Sequence, residues 1–161
     1  WDTYFGGFKY THGTPFRRAI EENLIDPKKY VILGLRGGLY DPDDLKWAIE
    51  QGITIITTDK FYEIGMAESI KIIKDTIGDT PTYFTFDIDG IDPTYAPGTG
   101  TPEVGGINVH EAQLLIRNLK DLNFIGADVV EVSPPFDVNN MTSLVGATIA
   151  FEILCTMTKT N

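Results

Sequence analysis

Thr82-Tyr83-Phe84-Thr85-Phe86-Asp87-Ile88-Asp89-Gly90 runs from an apolar stretch straight into two acids and a glycine. From Thr82 to Ile88 the apolar residues run on rather than alternate, which is how a strand reads when both of its faces are covered. Tyr30–Leu35, Ile53–Thr58 and Phe124–Val132 read as strands too. Helical patterns lie between and around them. Pro15–Leu24 opens with Thr14 as a candidate N-cap and Pro15 at the first helical position. Asp41-Pro42-Asp43-Asp44 opens Leu45–Gln51, which Gly52 closes. Met66–Ile77 and Asn108–Leu119 carry apolar stripes, and Ser143–Met157 is apolar over so much of its girth that it reads as largely buried. Strands alternating with helices predict right-handed crossovers, hence an α/β fold with a parallel sheet and helices on both faces.

The chain's 161 residues suit one domain, 1–161. The apolar share of 42% and charged share of 22% are those of a globular protein. A single cysteine, Cys155, excludes an intrachain disulfide and a cysteine-built zinc cluster. The chain has no run of apolar residues long enough to span a membrane. The net charge of −10 argues against a general nucleic-acid binder, which needs cationic surface, and suits a cationic ligand. The opening, Trp1-Asp2-Thr3-Tyr4-Phe5-Gly6-Gly7-Phe8, has no initiator Met and no signal-peptide pattern, and reads as the interior of a longer protein.

Ligands of open α/β sheets sit outside the carboxyl ends of the strands, so the residues past each strand are the first candidates. On a strand, Asp87 and Asp89 would point to one face, where two carboxylates repel unless a cation lies between them; hard divalent metals want such oxygen donors. The alternative is a solvated strand end. The turn-rich loop that follows, through Pro97-Gly98-Thr99-Gly100-Thr101-Pro102 to Gly105-Gly106, is costly to order and reads as functional. His12, flanked by Gly13, is either a surface histidine or a proton-transfer group. Glu131 lies in the apolar run Val129-Val130-Glu131-Val132, where a charge needs a cationic partner such as a guanidinium or a metal. His110 and Arg17-Arg18 read as surface. Gly34-x-Arg36-Gly37-Gly38 matches no phosphate-loop pattern.

The string from Phe86-Asp87-Ile88-Asp89-Gly90-Ile91-Asp92-Pro93 through Gly105-Gly106 resembles the signature of the ureohydrolases, the arginase and agmatinase superfamily. Gly126-Ala127-Asp128-Val129-Val130-Glu131-Val132-Ser133-Pro134-Pro135 resembles a second motif of that family, and Tyr10-Thr11-His12-Gly13-Thr14-Pro15-Phe16-Arg17-Arg18-Ala19 a third. The variant is closer to agmatinases and guanidinobutyrases than to arginases. The resemblance implies a three-layer α/β sandwich and hydrolysis of a small cationic guanidino compound, such as agmatine, to urea and an amine with two Mn²⁺ ions. It implies Asp87 as the carboxylate bridging both metals and Asp89 as a ligand of one. His12 would assist proton transfer, Glu131 would pair with the substrate guanidinium, and Asp2 to Thr11 would lie near the substrate. It further implies a homo-oligomer, trimer or hexamer, in the cytoplasm or the mitochondrion, with neither nucleic acid nor membrane as partner.

The family holds its metals with six residues, and four have no counterpart here: a His in Gly-Gly-Asp-His and three residues in Asp-x-His-x-Asp. The chain therefore reads as the carboxyl-terminal half of such a protein, and by itself is expected to bind manganese weakly. Two other readings stand beside this one. Asp87-Ile88-Asp89-Gly90 also fits the strand-terminal motif of haloacid-dehalogenase-like phosphatases, with Asp87 as nucleophile and Mg²⁺ as cofactor. The chain is otherwise a non-catalytic partial chain or an assembly subunit without a full metal site.

Overall fold

The computed structural model describes residues 3–39, 41 and 43–158. Trp1, Asp2 and Pro42, which figure in the sequence reading, lie outside these. Five helices and four strands follow one another as α1 (Pro15–Glu21), β1 (Val31–Leu35), α2 (Lys46–Gln51), β2 (Thr54–Thr57), α3 (Thr58–Ile77), β3 (Thr82–Asp87), α4 (Val109–Asn118), β4 (Phe124–Val130) and α5 (Met141–Met157). Among the described residues no helix is long and apolar enough to cross a membrane.

The strands pair parallel, as their unbroken apolar runs predict, but in two separate pairs: β1 with β2 and β3 with β4. The one parallel sheet expected from the sequence is thus two separate pairs among the described residues, and each strand keeps one unpaired edge. β1–β2 is covered on both faces. Val31 and Leu33 pack into the main core with α3, whereas Tyr30 and Ile32 face a smaller cluster with Ile20, Trp47 and Ala48 from α1 and α2. β3–β4 sends Phe84, Phe86, Ala127 and Val129 into the main core beneath α4 and α5. A bulge displaces Ile125 from the pairing, since Thr82 and Tyr83 oppose Phe124 and Gly126.

The helix boundaries follow local chemistry. Pro15 begins α1, but Thr14 does not cap it. The Thr14 hydroxyl is fully buried and donates to the Lys9 carbonyl at 2.9 Å, stitching the preceding loop instead. Asn108 and Glu111 cap α4 reciprocally, and Gly52 ends α2 in the left-handed region. Helix α3 starts earlier than the periodicity predicts, at Thr58, because Gly65 (φ 81°, ψ 168°) breaks it and only the part after Gly65 shows a clean stripe.

Helix α5 departs most from expectation. Val145, Ile149 and Ile153 are buried, but Leu144, Phe151 and Leu154 face outwards and are at least 60% exposed. Its buried Glu152 is held by Arg117 and Gln113 of α4, so the charge is paired rather than stranded.

The loop after β3 is pinned at both ends. Ile88, Ile91, Ala96 and Ile107 sink into the core at 0–3% exposure. The Asp92 carboxylate accepts from the backbone N–H groups of Thr94, Gly105 and Gly106 at 2.8–3.2 Å; the Thr94 side chain first, and then these N–H groups, hold its pKa down at about 2. Gly106 is required by close approach: a Cβ there would lie 2.5 Å from the Asp92 nitrogen and 2.8 Å from the Ile91 carbonyl carbon. Both atoms belong to the Ile91–Asp92 peptide, which cannot swing aside as a side chain can, so Gly106→Ala is expected to lower stability by about 1–3 kcal/mol, the usual cost of overpacking, measured by denaturant unfolding.

Candidate active site

The carboxyl ends of β3 and β4 define the site. β3 ends at Asp87, and a 3₁₀ turn over Ile88–Gly90 carries Asp89. The two acids are therefore not strand neighbours on one face, as their spacing suggests. Asp87 Oδ1 instead accepts the Asp89 N–H at 3.0 Å, bending the chain out of the strand. Asp89 Oδ2 accepts the Thr101 hydroxyl at 3.0 Å, which ties the far side of the long loop to the acidic pair.

Glu131 comes to the same place by a different route. Val130 is the register partner of Asp87, so the next residue of that chain emerges beside the acidic pair. The sequence puts Glu131 inside a strand and infers that its charge is buried. The structure corrects both points: β4 ends at Val130, and Glu131 is exposed with φ at +65°. A non-glycine residue in the left-handed region costs about 1–2 kcal/mol and is held there by its surroundings. The antiparallel bridge of Val132 with Thr99 and the bond from Ser133 N–H to the Gly98 carbonyl, 2.7 Å, lock the chain just after it.

His12, from the loop before α1, places Nδ1 3.9 Å from Glu131 Oε1. That is an ion-pair distance for a protonated ring and too long for a hydrogen bond. Its ring meets Phe5 edge-on, with centroids 4.9 Å apart. All four residues singled out by the sequence, His12, Asp87, Asp89 and Glu131, thus lie at one end of the β3–β4 pair. His110 is exposed on α4, as expected, whereas Arg18, read as surface, is buried and donates to the Thr3 carbonyl at 3.3 Å and to Glu21 Oε1 at 2.9 Å.

Three carboxylates share this small region. Asp87 feels it most: loss of solvation around its carboxyl and the negative charges of Asp89 and Glu131 push its pKa up to about 7, against the partial relief of the Asp89 N–H. The residue as a whole is exposed, so the crowding is local to the carboxyl group.

Sequence reasoning placed Arg36 just past a strand end but gave it no role. It follows β1 directly and its guanidinium donates to the carbonyls of Gly34 (3.2 Å), Asp89 (2.6 Å) and Val104 (3.1 Å), and also to that of Glu103. The available signal was its place just past a strand end, since the glycines around it match no phosphate loop.

A parallel α/β scaffold with carboxylates converging past its strand ends defines a class: proteins that handle cations, metal or organic, at the edge of a sheet. The chain belongs to the arginase family, whose profile matches residues 1–156. It is 54% identical over 154 residues to the guanidinopropionase of Pseudomonas aeruginosa, covering 96% of this chain and 48% of that protein. It is 42% identical over 151 residues to the mitochondrial agmatinase of Gallus gallus, covering 94% of this chain and 44% of that protein. The solved structure of proclavaminate amidinohydrolase from Streptomyces clavuligerus superposes with a TM-score of 0.92 at 42% identity, over 97% of this chain and 52% of that one. The chain thus spans about half the length of the curated relatives it matches. The family match displaces the dehalogenase-like reading of the Asp87 motif.

The field at Asp87 can be tested directly. Folded Asp87 keeps its proton up to about pH 7, whereas a free carboxyl releases it near 3.8. The folded state therefore gains stability from this group as pH falls through 7, opposite in sign to the contribution of Asp92. Replacing Glu131 by Gln removes one of the repelling charges, so the Asp87 midpoint in the metal-free chain is expected to fall below its starting value, read by carboxyl-carbon NMR titration.

Proposed function

We propose that this chain is the carboxyl-side part of a ureohydrolase that splits a linear guanidino compound into urea and an amine. The observation that carries the reading is the convergence of Asp87, Asp89 and Glu131, with His12 3.9 Å from Glu131, past the ends of two paired strands. The names of the relatives, guanidinopropionase, guanidinobutyrase and agmatinase, support a substrate with a guanidino group at one end and a variable other end.

Each residue has a task that suits its chemistry. The Glu131 carboxylate matches a planar guanidinium and orients it by charge-assisted hydrogen bonds, a proximity effect. Its left-handed backbone comes directly after Val130, the register partner of Asp87, so its carboxylate lies within the field of Asp87. His12, 3.9 Å from Glu131, would stand beside a guanidinium held there, within reach to deliver a proton to the departing amine nitrogen. The acidic net charge of −10 favours approach of a cationic substrate.

Asp87 and Asp89 are the right kind of donor for manganese, hard oxygen ligands whose mutual repulsion a cation relieves. They are too few, since the described residues contain no group of three side chains able to hold a metal ion. A divalent metal pair would supply activation of the attacking water. The whole protein, in this reading, is a homo-oligomer of the cytoplasm or the mitochondrion.

The test joins this chain to the half-protein it does not span, taken from the Pseudomonas aeruginosa guanidinopropionase. Urea release is measured with guanidinopropionate, guanidinobutyrate and agmatine in excess Mn²⁺. Asp87→Asn is expected to cost most, because it removes a donor from the place where the site is poorest in donors. His12→Asn should cost on the order of 10²–10⁴-fold, the usual worth of a positioned proton-transfer group. Glu131→Gln should fall between them. Near-native urea release by Asp87→Asn would sink the proposal. Dialysed chain by itself should retain far less than two equivalents of manganese by metal analysis.

A further inference from the structure

Two anchors, one in α1 and one just before it, hold the loop that carries His12. The buried Arg18 guanidinium donates to the Thr3 carbonyl at 3.3 Å. The fully buried Thr14 hydroxyl donates to the Lys9 carbonyl and accepts the Thr11 N–H, both at 2.9 Å. These bonds fix the backbone on either side of residues 4–8 and immediately before His12. They do not fix the imidazole, since the His12 side chain is 66% exposed. Among the described residues the ring has two partners, Glu131 at 3.9 Å and Phe5, and neither contact is a hydrogen bond. An exposed side chain held so loosely turns between rotamers unless something packs against it.

Phe5 is that packing group, and the chain is shaped to supply it. Phe5 and Phe8 exchange two backbone hydrogen bonds, each 3.0 Å, around Gly6 and Gly7. Both glycines have positive φ, +58° and +83°, as a two-residue type I′ hairpin turn requires. A Cβ at either would meet nothing within 4 Å, so the turn and not a lack of space asks for glycine. The hairpin sorts its aromatic rings. Tyr4 and Phe8 are 62% and 70% exposed, whereas Phe5 is 44% exposed and sets its ring against that of His12, with centroids 4.9 Å and planes 79° apart. A T-shaped pair at that distance is a favoured arrangement of aromatic rings, so it imposes an orientation as well as a contact.

We infer that Phe5 is a positioning residue: the Gly6-Gly7 hairpin sets its ring as a wall that keeps the His12 imidazole turned to Glu131. The inference rests on the proton-transfer role given to His12 above and adds what aims the ring. Phe5 acts through His12 and takes no part in the path of the proton. A ring free to swing spends part of its time away from a guanidinium held by Glu131, and a misplaced group loses much of its effect.

The test uses this chain joined, as above, to the half-protein it does not span, with Phe5→Leu, Phe5→Tyr, His12→Asn and the double substitution Phe5→Leu with His12→Asn. In the metal-free protein, the nuclear Overhauser contact between the His12 ring and the Glu131 side chain is read first; the His12 signals are those that His12→Asn removes. The contact is expected to weaken in Phe5→Leu, which keeps an apolar side chain but no ring, and to persist in Phe5→Tyr. With excess Mn²⁺, Phe5→Leu should lower kcat for urea release on the order of 10–10²-fold with KM little changed, and Phe5→Tyr should keep most of the rate. The double substitution should be no slower than His12→Asn alone, because no imidazole is left to aim. An Overhauser contact absent from the unsubstituted protein, or kept in Phe5→Leu, overturns the inference. So does a Phe5→Leu loss that repeats in full on top of His12→Asn, or one confined to KM, since Phe5 would then act on the fold or the substrate and not through His12. If the joined protein releases no urea, or releases it equally fast with His12→Asn, the proton-transfer role falls and the Overhauser contact alone decides the positioning.

Discussion

One guanidinium ties the two halves of this fold together where the chemistry lies. Arg36 leaves the end of β1 and donates to four backbone carbonyls, those of Gly34, Asp89, Glu103 and Val104. A delocalised cation bonded to carbonyls in a partly screened setting makes stronger contacts than neutral donors would. Because β1–β2 and β3–β4 share no ladder among the described residues, the position of Asp89 relative to β1 rests on this strap and on α3, which packs against β1, β2 and α4. The loop after β3 depends on it in turn. Glu103 and Val104 are held from one side by Arg36, while Gly105 and Gly106 are held from the other by Asp92.

The second organising force is repulsion. Asp87, Asp89 and Glu131 sit within one another's field. Asp87 answers by holding its proton to about pH 7. Such an arrangement is costly for a resting protein and useful for one that meets a cation, since either a metal ion or a guanidinium turns the repulsion into attraction. The left-handed backbone at Glu131 is a further cost in the same place. Charge repulsion and a left-handed backbone gathered at one spot, past the ends of two paired strands, mark it as a candidate site.

Much of this was legible in the residues. Unbroken apolar runs announced β1 to β4 because a strand covered on both faces has no polar face to show. Gly52 and Pro15 marked helix ends because their effects are local to a few bonds. The site residues were legible as a motif: a string of Asp, Gly and Pro ordered by a loop that must turn often and leave carboxylates free. Thr14 misled because a hydroxyl beside a helix start has several acceptors in reach, and the Lys9 carbonyl won. Helix α5 misled because composition reports how apolar a helix is and not how many neighbours surround it; Leu144, Phe151 and Leu154 have no covering element among the described residues.

The sequence by itself determined the α/β class and the arginase-family motifs, and it singled out four candidate residues within them, because each depends on residues close together in the chain. Only the tertiary structure decided how those residues meet. The register of β3 with β4 brings Glu131 beside Asp87. The turn after Asp87, and not strand alternation, sets the place of Asp89. The division of the sheet into two pairs was equally invisible, since a strand's residues tell that it will be covered but not which strand lies beside it. Pairing partners are chosen by contacts between distant parts of the chain, and those contacts exist only once the layers have packed.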